Sequence, residues 1–200
     1  MTNRISKIVV LTLILIILEL AFSCRKQYSK FRWESLTTKI INNSLSQEII
    51  VSASDSVCYK NFGIRLSFKP QYYAFNPISL YNGCYALKLD DIWTNADTVK
   101  SIQIISLQDF NNNYSAGEDV NDIFRCKRSD PDYPSTDIQN LITITALINY
   151  MNTPYQEEIF KYDLLLVADS VYKNEHSFII NIELSGNRVL SDTTESFMIY

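Results

Sequence analysis

Histidine occurs once in this 200-residue chain, glycine four times and proline five times. Each scarcity removes a class of function. Glycine-poor chains do not build phosphate-cradling loops, and propellers and solenoids need more turn residues than these. A serine or cysteine nucleophile needs a base within hydrogen-bond reach, most often histidine. His176 is the sole candidate, and its setting, Lys173-Asn174-Glu175-His176-Ser177, predicts an exposed polar turn before a strand. No G-x-S-x-G elbow is present. The four cysteines show neither CxxC nor Cys/His spacing, so no zinc site and no other cofactor is expected. Cations form no continuous stripe along the sequence, and the formal net charge is −4, which argues against a nucleic-acid partner.

What is present is a folded-protein composition: 46% hydrophobic, 12% aromatic and 20% charged, far from the signature of disorder. The amino terminus carries the sharpest pattern. Arg4 and Lys7 precede an apolar run from Ile8 to Leu18 interrupted only by Thr12. That run is shorter than the ~20 residues a membrane span needs, and its length and flanks fit a secretory signal. Leu20-Ala21-Phe22-Ser23-Cys24 follows and resembles a lipobox, in which cleavage precedes a lipidated cysteine. Phe22 and the nearby Glu19 depart from that pattern. The expected organisation is a signal peptide over 1–23, a lipidated tether over 24–35 and one domain over 36–200. Two or three acyl chains, at ~0.8 kcal/mol per buried CH₂, would hold Cys24 at a membrane.

Export permits disulfides, and Cys58, Cys84 and Cys126 allow at most one internal bridge, of unspecified pairing, or three buried thiols. Along the rest of the chain the apolar period is mainly two, the mark of half-buried strands. Ile64, Leu66 and Phe68 alternate with polar residues up to Pro70, and Leu87 and Leu89 do so in another run. Further strands are expected over 99–107 and 159–168. Phe178, Ile180, Ile182 and Leu184 share one strand face, Ser185-Gly186-Asn187 supplies a turn, and a last strand runs near 194–200. Residues 115–124 have helical spacing; 138–151 has it too, with Asp137 as a candidate cap, while Ile142-Thr143-Ile144-Thr145 alternates like a strand, and helix is the reading favoured there. The fold expected is mainly β, an antiparallel immunoglobulin-like β-sandwich with one or two short helices.

The stretches VKSIQIISLQDFNNNYSAGEDVNDIF (Val99–Phe124) and SFIINIELSGNRVLSDTTESFMI (Ser177–Ile199) resemble segments of a domain-of-unknown-function family of Bacteroidetes-type lipoproteins. The resemblance implies an envelope compartment and a β fold, and carries no catalytic residue.

Remaining candidates are weighed by their chemistry. Asp90/Asp91, Asp130/Asp132 and Glu157/Glu158 are carboxylate pairs, yet sequence neighbours on a strand point to opposite faces. Asp109 to Ser115 offers alternating oxygens but lacks the glycine and glutamate of a calcium loop, so no metal site is expected. Ser56, Thr98, Ser170 and Thr193 each follow an aspartate and precede Val or Thr. These triplets resemble the O-glycosylation sequon of exported Bacteroidetes proteins, and equally suit turns that open strands. Tyr72, Tyr73, Phe75 and Tyr81 form an aromatic-rich stretch that suits either a binding surface or a sandwich rim. The function expected is therefore a lipid-anchored, non-enzymatic binding or structural module with a glycan or protein partner. It would sit in the cell envelope, on the outer membrane, facing the periplasm or the surface. A polysaccharide-acting enzyme using acidic residues and a fimbrial or pilus component are the rival expectations.

Overall fold

The computed structural model describes residues 7, 9–15, 17, 28–44, 49–52, 55–73, 92–128, 141–153 and 160–200. The fold is mainly β, with antiparallel sheets. Strand β1 (Tyr28–Asn42) pairs along its length with β4 (Phe62–Tyr73), which pairs with β8 (Lys161–Leu166), which pairs with β7 (Phe124–Arg128). Two short strands share the other edge of β1: β2 (Ile49–Ile50) at one end and β5 (Ile92–Asn95) at the other. A second sheet has the order β11 (Arg188–Thr193), β10 (Phe178–Leu184), β6 (Val99–Ser106). A third joins β3 (Ser56–Val57), β12 (Phe197–Ile199) and β9 (Glu175–His176). The exceptions to antiparallel pairing are β5 on β1 and β3 on β12.

Alternation decides which face each strand buries. Phe62, Ile64, Leu66 and Phe68 on β4 join Tyr162, Leu164 and Leu166 on β8 in one hydrophobic cluster. Phe178, Ile180, Ile182 and Leu184 on β10 enter the same cluster from the second sheet, so the two sheets share a core. An immunoglobulin-like arrangement is consistent with this packing. Rings fill its centre: Phe62 stacks on Phe197 with centroids 4.7 Å apart, and Phe124 meets Phe178 edge-on at 5.7 Å. Such pairs add about 0.5–1.5 kcal/mol beyond area burial.

Several expectations are corrected. The tether assigned to 24–35 is strand from Tyr28 onward, and Phe31 and Trp33 are fully buried. Pro70 does not end its strand; it lies opposite Trp33 beside a bulge in β1, where a missing N–H is tolerated. Residues 115–124 are not a helix. Gly117 takes a positive φ of 86°, only Asn121–Ile123 make a 3₁₀ turn, and Phe124 opens a strand. In 138–151 both patterns are used in turn: Ile142 bridges Cys126 as extended chain, then Ile144–Met151 is helical. The cap is Thr143, whose hydroxyl accepts the Ala146 N–H at 3.2 Å. The hairpin at Gly186 forms, but β11 begins at Arg188, and residues 197–199 belong to the third sheet. The strand expected at Leu87 and Leu89 and the cap Asp137 lie outside the described residues.

Side chains close parts of the edges of β6 and β1, which matters because open edges invite foreign strands. On β6, Asn152 accepts the Val99 N–H at 2.8 Å and donates to the Val99 carbonyl at 2.9 Å. Asn121 does likewise for the Ile104 N–H and the Ile102 carbonyl. On β1, Asp97 accepts the Trp33 N–H at 3.1 Å while Arg188 donates to the Trp33 carbonyl at 2.6 Å. Arg188 also places one nitrogen 2.9 Å from both Asp97 oxygens. This ion pair completes the hydrogen bonds of one β1 residue and binds the two sheets together.

Candidate functional site

The outward face of the large sheet is set by the positions that alternate with its core residues. Pairing places Lys39, Arg65, Asp163 and Lys127 side by side across four strands. The next rung is Thr37, Ser67 and Lys161. Lys69 stands opposite Ser35, Gln71 opposite Arg32, and Tyr73 opposite Lys30. Arg125 lies on the same side as Lys127, two residues along β7. Among the described residues the face thus gathers eight cations and, with Glu34 and Asp163, two carboxylates, in a chain whose formal net charge is −4. No continuous basic run exists in the sequence because each strand contributes only one, two or three of these residues.

Its two acids are engaged. Asp163 has no exposed surface and takes Arg65 in a two-point pair, Nε to Oδ1 at 2.7 Å and Nη2 to Oδ2 at 2.8 Å. Glu34 meets Lys69 at 2.8 Å in solvent, where such a pair is worth little. Lys30, Lys39 and Lys161 are exposed. At the Lys30 end, the Arg32 guanidinium lies 4.8 Å from the Tyr73 ring centre and donates to Gln71, which also accepts the Tyr73 hydroxyl. At the opposite end Ile41 and Leu165 close over Gly63 and are buried.

Tyr72 and Tyr73 are exposed at the end of β4, but on opposite faces; Phe75 and Tyr81 lie outside the described residues. Cys24 and Cys84 also lie outside them. Among the described residues, Cys58 and Cys126 are free thiols. Burial, aided by the charge of Asp163, pushes the Cys126 thiol far above its ordinary range.

His176 is not in an exposed turn. It is fully buried on β9 against the Phe110 ring, with centroids 5.4 Å apart, and its Nε2 bonds the Tyr172 carbonyl at 2.8 Å. Its Nδ1 has no hydrogen-bond partner among the described residues. Burial lowers its pKa, and the carbonyl only partly opposes this. A side chain that follows the polar Lys173-Asn174-Glu175 was drawn inward because strand alternation put it opposite Phe197.

The Asp/Asn loop spends its oxygens on its own chain. Asp109 accepts the Ala116 N–H, Asn111 the Asn113 N–H, Glu118 the Ser115 N–H and Asp119 the Asn121 N–H. Among the described residues no group of three or more His, Cys, Asp or Glu could hold a metal. The carboxylate pairs Asp90/Asp91, Asp130/Asp132 and Glu157/Glu158 lie outside the described residues. Ser56, Thr98, Ser170 and Thr193 are all exposed, while Val57, Val99 and Thr194 beside them are buried. That arrangement suits a strand opening and leaves each hydroxyl accessible.

The described residues therefore define a β domain with one polarised, cationic sheet face. Residues 30–195 match the model of a domain of unknown function, DUF5034, and the chain belongs to that family. No curated protein and no solved structure matches it.

Proposed function

We propose that this chain is a lipid-anchored envelope protein of Bacteroidetes type whose β domain is a non-enzymatic binding or structural module. The observation that carries the reading is an apolar helical stretch that nothing among the described residues covers. Residues 9–15 and 17 are helical, and Val9, Leu11, Leu13 and Ile17 are each more than half exposed. Such a surface calls for an apolar partner, which a signal-peptide route or a bilayer supplies. The apolar run from Ile8 to Leu18 is shorter than the ~20 residues of a membrane span, and with Arg4 and Lys7 before it fits a cleaved signal. The lipobox-like Leu20-Ala21-Phe22-Ser23 before Cys24 supplies the cleavage point. A non-enzymatic role is supported by the single histidine, which bonds a backbone carbonyl inside the core.

The test is labelled palmitate in the native host. Label is expected in the wild-type chain, with loss of both label and membrane fractionation in Cys24→Ala. Equal membrane retention by Cys24→Ala refutes the anchor. Affinity capture from envelope extract then addresses the glycan or protein partner, and the mass of native protein reports any sugar on Ser56, Thr98, Ser170 or Thr193.

A further inference from the structure

We infer that the outward face of the large sheet, the face carrying Lys39, Lys127 and Lys161, docks onto anionic phospholipid headgroups, so that the domain lies flat on its membrane. The proposal rests on the anchored reading above for its geometry, and on the charge of the face for its chemistry.

Three observations converge. First, the face is net cationic while the whole chain is net acidic, so the positive charge is concentrated on one side. Second, β1 starts at Tyr28, four residues after Cys24. Four residues reach at most ~14 Å, so a lipid on Cys24 holds the Lys30 end of the face close to the headgroups. An upright domain would leave Lys39, nine residues further along β1, about 30 Å beyond Lys30 at ~3.3 Å per residue. That is several Debye lengths, and its charge would be screened. Lying flat brings every rung within range. Third, Tyr73 and Arg32 stack at the anchor end of this same face. An amphipathic ring beside cations suits a headgroup layer, where tyrosine is enriched. The lysine stems of Lys39 and Lys161 are long enough to extend ammonium groups toward phosphates while the sheet stays rigid behind them.

The opposing acids do not cancel this field. Asp163 takes up one charge of the rung it shares with Arg65 and Lys127, and Glu34 pairs with Lys69, so among the described residues eight cations less two carboxylates leave the face a net six positive charges. A lysine near an anionic surface changes partitioning about fivefold, so three together change it on the order of a hundredfold.

The experiment uses the full chain with Cys24→Ala, so that the outcome does not depend on lipidation. It is co-sedimented with phosphatidylcholine vesicles and with vesicles containing phosphatidylglycerol at about 30 mol%. The amino-terminal segment, with Arg4 and Lys7 beside its apolar run, is the same in every variant, so its own binding is a constant baseline between the two triples. Expected is stronger binding to the anionic vesicles at low salt, abolished by high salt. Adding Lys39→Gln, Lys127→Gln and Lys161→Gln is expected to remove the preference about a hundredfold. The matched triple Lys60→Gln, Lys100→Gln, Lys173→Gln, which changes net charge equally away from this face, is expected to keep it. Unchanged thermal melting confirms that each variant is folded. The proposal is overturned if the two vesicle types bind equally, or if both triples lose the preference alike. It is overturned too if a soluble anionic polysaccharide binds the face while anionic vesicles do not. Failure of palmitate labelling alone would remove the anchor and leave the vesicle result standing.

Discussion

Replacing Asp97 with alanine removes three hydrogen bonds from the junction of the two sheets. The Trp33 N–H loses its acceptor at 3.1 Å, and Arg188 loses both carboxylate oxygens at 2.9 Å. Trp33 is fully buried and Asp97 nearly so, so water cannot replace the acceptor without opening the core. An orphaned buried donor costs about 1–3 kcal/mol. Leaving a buried ion-pair partner alone costs about 3–5 kcal/mol in the fully buried case. The Arg188 side chain is 34% exposed, so solvent takes back part of the second cost. The expected loss for Asp97→Ala is about 3 kcal/mol, and for Asp97→Asn, which keeps an acceptor, about half of that. Arg188→Ala should cost about 2–3 kcal/mol, because it strands the carboxylate and the Trp33 carbonyl. Urea denaturation of all four forms of the Asp97/Arg188 cycle gives the coupling at constant slope. The double variant should lose about 1–2 kcal/mol less than the sum of the singles. Strict additivity, or a loss under about 1 kcal/mol for Asp97→Ala, would refute the view that this pair joins the sheets.

Three further outcomes follow from the same geometry. Gly63→Ala should destabilise by about 1–3 kcal/mol, because a Cβ there would stand 2.9 Å from Leu165 Cδ2 and 3.0 Å from the Leu164 carbonyl oxygen; a melting curve checks it. His176 should titrate below the ordinary value near 6.5 in an NMR titration. The unfolded chain then takes up a proton that the folded chain refuses, so the stability from this group is full above about pH 6.5 and declines as pH falls through that value. An upward-shifted midpoint would contradict its burial. Cys126 should resist alkylation until the domain unfolds, since its thiol is both buried and held protonated, with peptide mapping by mass spectrometry as the readout.

Local chemistry along the chain determined a good deal here. Period-two apolar runs at 62–68, 99–106 and 178–184 became strands because one buried face is enough to orient a strand whatever its partner. Asn and Asp in 109–122 turned the chain through their own backbone bonds, and that capacity is carried in the residue itself. What the run of residues left undecided was partnership. Whether Ser185-Gly186-Asn187 leads into a strand at Arg188 or at Thr194 depends on which edge β10 offers. Whether His176 faces water depends on Phe197 lying across from it. The helical spacing at 115–124 lost to turns because Val120 and Phe124 could both reach the core without a helix. Above all, the basic face exists only after β1, β4, β7 and β8 align. A single strand carries alternate cations that look like ordinary solvated positions, and only hydrogen-bonded register adds their charges into one field.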